Sequence, residues 1–98
     1  MLQVSDLRLD TRSRSVRCVD VPVALCPLEY ELLRALMACP GRALSKAQLE
    51  VWLRSQGRMT QRDAVAVHIH HLRRKIGRDR IRTVRGVGYL VPSDSGPW

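Results

Sequence analysis

The amino-acid sequence of 98 residues predicts an α+β fold in which a small N-terminal antiparallel β-sheet precedes three helices and a C-terminal β-hairpin. Three observations predict it. Apolar and polar residues alternate up to about residue 25, apolar residues then recur at helical spacing in three segments, and two short β patterns flank Gly86-Val87-Gly88. A chain of this length forms one domain, which we place at residues 1–92, with 93–98 as a polar tail.

The N-terminal sheet is predicted from short runs of alternating apolar positions. Turn-forming residues interrupt the runs near residues 10–13 and at Asp20, so consecutive runs should pair as antiparallel strands. Pro22 has no amide hydrogen to donate, which places it at a strand start or on an edge strand. The apolar positions are Leu7, Leu9, Val16, Cys18, Val21, Val23 and Leu25.

Two helices are predicted after the sheet. Pro27 suits a first helical turn, and Pro40-Gly41 should end that helix. Ser45 is a good N-cap for the second helix, which should stop before Gly57. The apolar positions are Leu28, Leu32, Leu33, Leu36 and Met37 in the first helix, and Leu49, Trp52 and Leu53 in the second.

The third helix is predicted at about residues 61–76. Thr60 and Asp63 resemble a capping box at its start, and Gly77 is placed to end it. At 100° per residue, one narrow stripe is apolar and should be buried: Val65, Ile69, Leu72 and Ile76. The opposite face comprises Asp63, Val67, His70, His71 and Arg74, and the stripe is flanked by His68 and Arg73. Taken alone, this pattern also fits an ordinary solvated surface helix.

A β-hairpin is predicted after Gly77. Two short β patterns, at residues 81–85 and 89–91, are separated by Gly86-Val87-Gly88, and glycine permits the positive φ that a tight turn requires. We therefore expect Arg85 at the tip of the hairpin. Tyr89 and Trp52 are expected to pack in or near the core.

The charge is strongly basic and unevenly distributed. The chain carries a net charge of +8, whereas residues 42–90 contain twelve Lys and Arg against three acidic residues, a net +9. The net positive charge therefore lies in the C-terminal half, which favours one basic face for a polyanion such as a nucleic acid. No apolar run approaches the roughly 18 residues of a membrane span, and no signal peptide is evident, so we expect a cytoplasmic protein.

The sequence indicates neither an enzyme nor a metalloprotein. We find no paired carboxylates, no nucleophile with an orienting base and no phosphate-cradling glycine loop. The three cysteines, Cys18, Cys26 and Cys39, form no CxxC pair, so they are interpreted as small apolar residues. A metal site is not expected either, because no two of the three histidines are four residues apart and no carboxylate or cysteine joins them on the third helix. We therefore predict no cofactor.

Four segments together resemble the effector domain of OmpR/PhoB-type response regulators. They are residues 25–33 (LCPLEYELL), 40–49 (PGRALSKAQL), 64–77 (AVAVHIHHLRRKIG) and 81–89 (IRTVRGVGY), and the resemblance covers roughly residues 2–92. The helix segment VHIHHLRRK is similar to one branch of that family. One departure is Cys26, where the family usually has threonine at the cap of the first helix, so a weaker cap is expected.

The resemblance implies a winged helix-turn-helix with a four-stranded sheet, three helices and a C-terminal wing. It implies double-stranded DNA as the partner, bound head-to-tail at tandem direct repeats, in bacterial two-component transcription regulation. An N-terminal receiver domain is absent from this chain, which is therefore expected to be either an excised effector domain of a longer chain or a stand-alone relative. The domain would be a monomer alone and a dimer on DNA, and the loop near residues 54–60 corresponds to a segment that can touch RNA polymerase.

The resemblance also assigns roles to individual residues. In the third helix, which fits the major groove, Val67 could meet a thymine methyl, His71 a base edge, and His70 a base or a phosphate. Histidine gains a proton near neutral pH, so a charged contact from either would strengthen binding from pH 8 to pH 6. Phosphate contacts are expected from the end of the helix, and Arg85 matches a minor-groove arginine. The full candidate set is Val67, His68, His70, His71, Arg73, Arg74 and Lys75 in the helix, with Arg62, Arg82, Thr83, Arg85 and Gly86 in the wing and flanks.

Two other functions remain open from the residues alone. Winged helices also serve as protein-interaction modules, and fold does not fix function. A membrane-surface binder would use the third helix, but the exposed face of that helix lacks bulky apolar residues. A steep dependence of binding on salt would distinguish DNA binding from protein interaction.

Overall fold

The computed structural model describes residues 1–58 and 64–93. The chain begins with four strands, β1 (Leu2–Val4), β2 (Leu7–Asp10), β3 (Ser15–Cys18) and β4 (Val21–Val23). Helices α1 (Pro27–Ala38), α2 (Lys46–Ser55) and α3 (Ala64–Ile76) follow, and strands β5 (Arg82–Val84) and β6 (Gly88–Leu90) form a C-terminal hairpin. The predicted α+β order is confirmed, although the predicted start of the third helix at 61 and its capping box lie outside the described residues.

The four N-terminal strands form an antiparallel meander in the order β1-β2-β3-β4. Leu9 pairs with Val16 and Val16 with Val23, so these three apolar side chains share the face that meets the helices. Pro22 lies within β4, an edge strand, as expected. The alternating pattern alone did not reveal β1, because three residues are too few to establish a period, and Leu25 lies beyond the sheet rather than in it.

Helix α1 is the centre of the core. It contacts β1, α2 and α3, and Leu32, Leu33 and Leu36 are completely buried. Its N-cap is Cys26, whose backbone N–H donates to the Glu29 carboxylate at 2.9 Å. The Glu29 carboxylate therefore supplies a capping-box contact at the start of α1, where the sequence predicted a weak cap.

Helix α2 begins as predicted. Ser45 Oγ accepts a hydrogen bond from the Gln48 N–H at 3.1 Å, and Gln48 Oε1 accepts one from the Ser45 N–H at 2.8 Å. This reciprocal pair satisfies two of the amides that the first turn leaves without helical partners. The Trp52 indole N–H donates to the Glu31 carbonyl oxygen at 2.9 Å, which fastens α2 to α1 and confirms a packing role for Trp52.

A short 3₁₀ turn, Arg78–Arg80, joins α3 to the hairpin. Arg80 donates to the Asp6 carboxylate at 2.9 Å, and so ties the end of α3 to the turn between β1 and β2. The hydrogen bond from Arg80 holds the pKa of Asp6 well below its usual range. No helix within the described ranges is both long and apolar enough to cross a bilayer.

Candidate nucleic-acid interface

Helix α3 presents one buried stripe and one exposed face. Val65, Ile69, Leu72 and Ile76 are all buried, which confirms the predicted stripe. On the opposite side of the helix, the exposed residues are Val67, His70, His71 and Arg74. The Val67 side chain is apolar and 49% exposed. This face therefore combines one apolar side chain with the hydrogen-bonding groups of two histidines and an arginine.

Three imidazoles lie side by side along α3. The rings of His68 and His71 are 5.9 Å apart in an edge-on arrangement, and those of His70 and His71 are 6.0 Å apart. His70 and His71 are exposed, whereas His68 is half-buried at the flank of the stripe. The exposed pair can therefore reach a ligand outside the domain, and His68 faces inward more than they do.

Arg73 connects α3 to the hairpin. Its Nε donates to the Ile81 carbonyl oxygen at 2.9 Å, and its Nη2 donates to Thr83 Oγ1 at 2.6 Å. The guanidinium carbon lies 5.7 Å from the centre of the Tyr89 ring. These contacts fix the hairpin relative to α3, so Arg73 acts as an internal brace in addition to any outward contact. Thr83 keeps its own hydroxyl proton for a further acceptor.

Lys75 is paired within the domain. Its ammonium donates to Glu29 Oε1 at 2.7 Å, and the Glu29 side chain is only 3% exposed. Burial by itself would raise the pKa of the Glu29 carboxyl, but the hydrogen bonds from Lys75 and from the Cys26 amide outweigh it and lower that pKa. Lys75 therefore neutralises a buried carboxylate, a role that the sequence did not indicate.

A shallow basic depression lies between α3 and the hairpin. Its lining includes Arg74, Arg78, Arg82, Thr83 and His70. The Arg74 side chain makes no hydrogen bond or ion pair with any residue in 1–58 or 64–93, so its charge is available to an anion. Arg78 was not among the candidate residues, because it lies between the third helix and the wing. The only signal for it in the sequence was its position in a basic segment.

The hairpin turn places Arg85 at the tip, as predicted, but is built one residue earlier than predicted. The Val87 N–H donates to the Val84 carbonyl oxygen at 2.9 Å, and Gly86 has a φ of +76° at the third position of this turn. The segment between β5 and β6 is therefore Arg85-Gly86-Val87. Gly88 is not a turn residue but pairs with Val84 in the β5–β6 ladder.

Gly88 is required for another reason. Tyr89 exchanges two backbone hydrogen bonds with Leu44, at 2.8 and 2.9 Å, so the segment before α2 runs beside β6. A Cβ on Gly88 would overlap the Leu44 carbonyl oxygen. The start of α2, with Ser45 and Lys46, consequently lies against the hairpin and lines one depression with Arg85 and Val87.

His68 lies near two other potential metal ligands. One ligand atom each from Cys26, Glu29 and His68 lie within 4.8 Å of one another. The prediction from the sequence concerned only residues on the third helix, whereas the packing of α3 on α1 brings Cys26 and Glu29 to His68 from another element.

Of the remaining candidates, Arg82 and Thr83 lie on β5, Gly86 lies in the turn, and Arg62 lies outside the described residues. In the loop near 54–60, Met59 and Thr60 also lie outside them.

Comparisons with known proteins agree with this architecture. Residues 20–91 match the family described as "Transcriptional regulatory protein, C terminal". The chain belongs to this family of OmpR/PhoB-type effector domains. It is 46% identical over 86 residues to the response regulator protein PmrA of Pseudomonas aeruginosa, a match that covers 88% of this chain and 39% of that protein. The chain thus spans about two fifths of the length of the curated relatives it matches.

Solved structures of effector domains superpose closely. The C-terminal domain of the nisin resistance regulator NsrR matches with a TM-score of 0.81 and 33% identity, covering 95% of this chain and 98% of that one. The RstA DNA-binding domain of Klebsiella pneumoniae, solved in complex with the RstA box, matches with a TM-score of 0.79 and 28% identity over 93% of this chain and 95% of that one. The winged-helix fold predicted from the sequence is therefore confirmed.

Proposed function

We propose that this effector domain binds double-stranded DNA sequence-specifically and regulates transcription as the output domain of a two-component response regulator. The observation that carries the proposal is the basic depression between α3 and the hairpin, which His70 on the exposed face of α3 lines together with Arg74, Arg78 and Arg82. Arg85 is exposed at the tip of the same hairpin. A helix about 10–12 Å across fits the major groove. The RstA domain, solved with its DNA, supports the same use of this fold.

The contacts of the side chains divide their roles. Val67 and His71, exposed on α3, would meet base edges, and His70 would meet a base or a phosphate. Arg74, Arg78 and Arg82 would neutralise phosphates from the depression. We assign positioning roles to His68, Arg73 and Lys75, which have contacts or burial inside the domain. Arg62, two residues before Ala64 in the sequence, and Thr83 on β5 are assigned flanking roles.

The wing would contact the minor groove. Arg85 is exposed at the turn, and an arginine charge is attracted to a narrow minor groove. Gly86 would let the backbone approach the sugar-phosphate chain because it carries no side chain. Lys46, at the start of α2 beside the wing, could contribute a further phosphate contact.

The assembly and the cell biology are part of the same proposal. We place the winged-helix domain at residues 1–92, preceded in a longer chain by a receiver domain, in the cytoplasm. The domain would be a monomer alone and would form a dimer on tandem direct repeats, and the loop near 54–60 would approach RNA polymerase. The domain would bind without catalysing a reaction.

Selection from a randomised duplex library, followed by affinity measurement against salt, tests the proposal. We expect an enriched direct repeat with a spacing near one helical turn. Because each neutralised phosphate contributes about 0.9 to the slope of log affinity against log salt, Arg74→Ala should reduce that slope by about 1. Arg12→Ala is the matched control, with the same charge change in the turn between β2 and β3, and should leave the slope unchanged.

Base readout has a separate signature. His71→Ala should relax selection at particular bases, by about 1–3 kcal/mol of discrimination, without changing the salt slope of non-specific binding. Arg85→Ala should weaken selection for A·T pairs beside the bases that depend on His71. If the library yields no enriched sequence and bulk binding is insensitive to salt, the proposal fails and a protein partner becomes the better account of the domain.

A further inference from the structure

Three potential metal ligands from two distant segments of the chain meet where α3 packs on the start of α1. Cys26 is the N-cap of α1, Glu29 lies in its first turn, and His68 comes from the middle of α3. One ligand atom from each lies within 4.8 Å of the other two. Glu29 is almost fully buried and its neighbours are half-buried, so this is a partly enclosed cluster and not a group of surface residues.

The His68 imidazole supplies an independent observation. Its Nδ1 atom is buried and has no hydrogen-bond partner among the described residues. A buried polar atom without a partner loses its hydrogen bonds to water and gains none in return, so native structures usually provide a partner. A metal ion bound to this Nδ1 atom would give it a partner, and neutral imidazole is a common ligand of divalent transition metals.

A thiol, an imidazole and a carboxylate together favour Zn²⁺. Thiolate, imidazole and carboxylate are the three protein ligands of Zn²⁺, at about 2.0–2.3 Å from the metal. Ligand atoms on one ion therefore lie about 3–4 Å apart, so the cluster needs to contract by about 1 Å. The thiol loses its proton on binding, and the thiolate and the carboxylate together balance the charge of a divalent ion.

We propose that Cys26, Glu29 and His68 form a site for a divalent transition-metal ion of the zinc type, with a solvent molecule completing a tetrahedral set. The ion would fasten α3 to the start of α1. Two cations lie close by: Lys75 on Glu29 Oε1, and Arg58, which lines a depression with Cys26. They weaken the site without blocking it, since a carboxylate can accept from a lysine and bind a metal through separate lone pairs.

Cobalt titration tests the site directly and does not depend on DNA binding. The reduced, metal-free chain is titrated with Co²⁺, and Zn²⁺ is then added in competition. We expect sulfur-to-cobalt charge-transfer absorption in the near ultraviolet and tetrahedral bands in the visible, both saturating at one ion per chain. Addition of Zn²⁺ should abolish both signals.

Variants identify the ligands. Cys26→Thr keeps a capping oxygen and removes the sulfur, and should abolish the charge-transfer band, whereas His68→Asn should weaken binding at least about tenfold. Cys18→Ser, Cys39→Ser and His70→Asn are matched controls that should bind as the parent chain does. Circular dichroism establishes that each variant is folded. Absence of saturable absorption in the parent chain, or a charge-transfer band that persists in Cys26→Thr, would overturn the proposal.

Discussion

Replacement of Gly88 by alanine should be one of the most damaging single-methyl changes in the domain. The added Cβ would overlap the Leu44 carbonyl oxygen and lie 2.6 Å from the Leu44 carbonyl carbon and 2.8 Å from Ser45 Cα. These are backbone atoms, which cannot rotate away as a side chain can. Relief requires the hairpin to move off the segment before α2, which breaks the two hydrogen bonds between Leu44 and Tyr89.

The magnitude follows from these two effects. Overpacking costs about 1–3 kcal/mol, and two lost hydrogen bonds add about 1 kcal/mol each, so we expect about 3–5 kcal/mol in the free energy of unfolding. For a domain of this size that corresponds to a fall of about 15–25 °C in Tm. Urea unfolding and thermal unfolding followed by circular dichroism measure both quantities.

Gly86→Ala is the matched control. A Cβ there meets no heavy atom of the described residues within 4 Å, but Gly86 has a φ of +76°, so only the backbone penalty of about 1–2 kcal/mol applies. If Gly88→Ala destabilises the domain no more than Gly86→Ala does, the close approach of Leu44 is not what requires glycine, and the reasoning is refuted.

Three further predictions concern stability and use urea unfolding. Because the pKa of Glu29 is lowered, ionised Glu29 adds to the free energy of unfolding above pH 4.5, and this contribution is lost as pH falls through the folded-state pKa. Glu29→Gln should therefore make the free energy of unfolding fall less steeply in acid. Parallel plots of the free energy of unfolding against pH for the parent and the variant would contradict this. Val19→Asn should stabilise by about 0.5–1 kcal/mol, because exposed, β-branched Val19 has a φ of +52°, whereas Val21→Asn should not. Arg73→Lys should destabilise by about 1–2 kcal/mol through the lost two-point contact, and equal effects of Arg73→Lys and Arg74→Lys would count against the brace.

The hairpin shows where sequence reasoning reached its limit within a correctly predicted element. Two glycines flank Val87, and both satisfy the requirements of a turn, so the sequence placed the turn at 86–88. The structure uses Gly86 in the turn and Gly88 against Leu44. That choice depends on a segment some forty residues earlier in the chain, which no local pattern reports.

The basic residues at the end of α3 make the same point for the candidate interface. Arg73, Arg74 and Lys75 are indistinguishable as consecutive charges in the sequence. In the structure Arg73 holds Thr83, Lys75 holds Glu29, and only Arg74 among the three has no partner in the described residues. The partner of each side chain depends on the direction in which it leaves the helix and on what packs there.

The sequence by itself determined the properties that depend on near neighbours. The buried stripe of α3, the Ser45 cap of α2, the position of Arg85 at the hairpin tip and the basic C-terminal half all follow from spacing and residue type, because helical and β periodicity are local. Only the tertiary structure decided which residues from distant segments meet. The packing of α3 on α1 joins His68 to Cys26 and Glu29, since side-chain proximity across a core is set by how the elements pack and not by their separation along the chain.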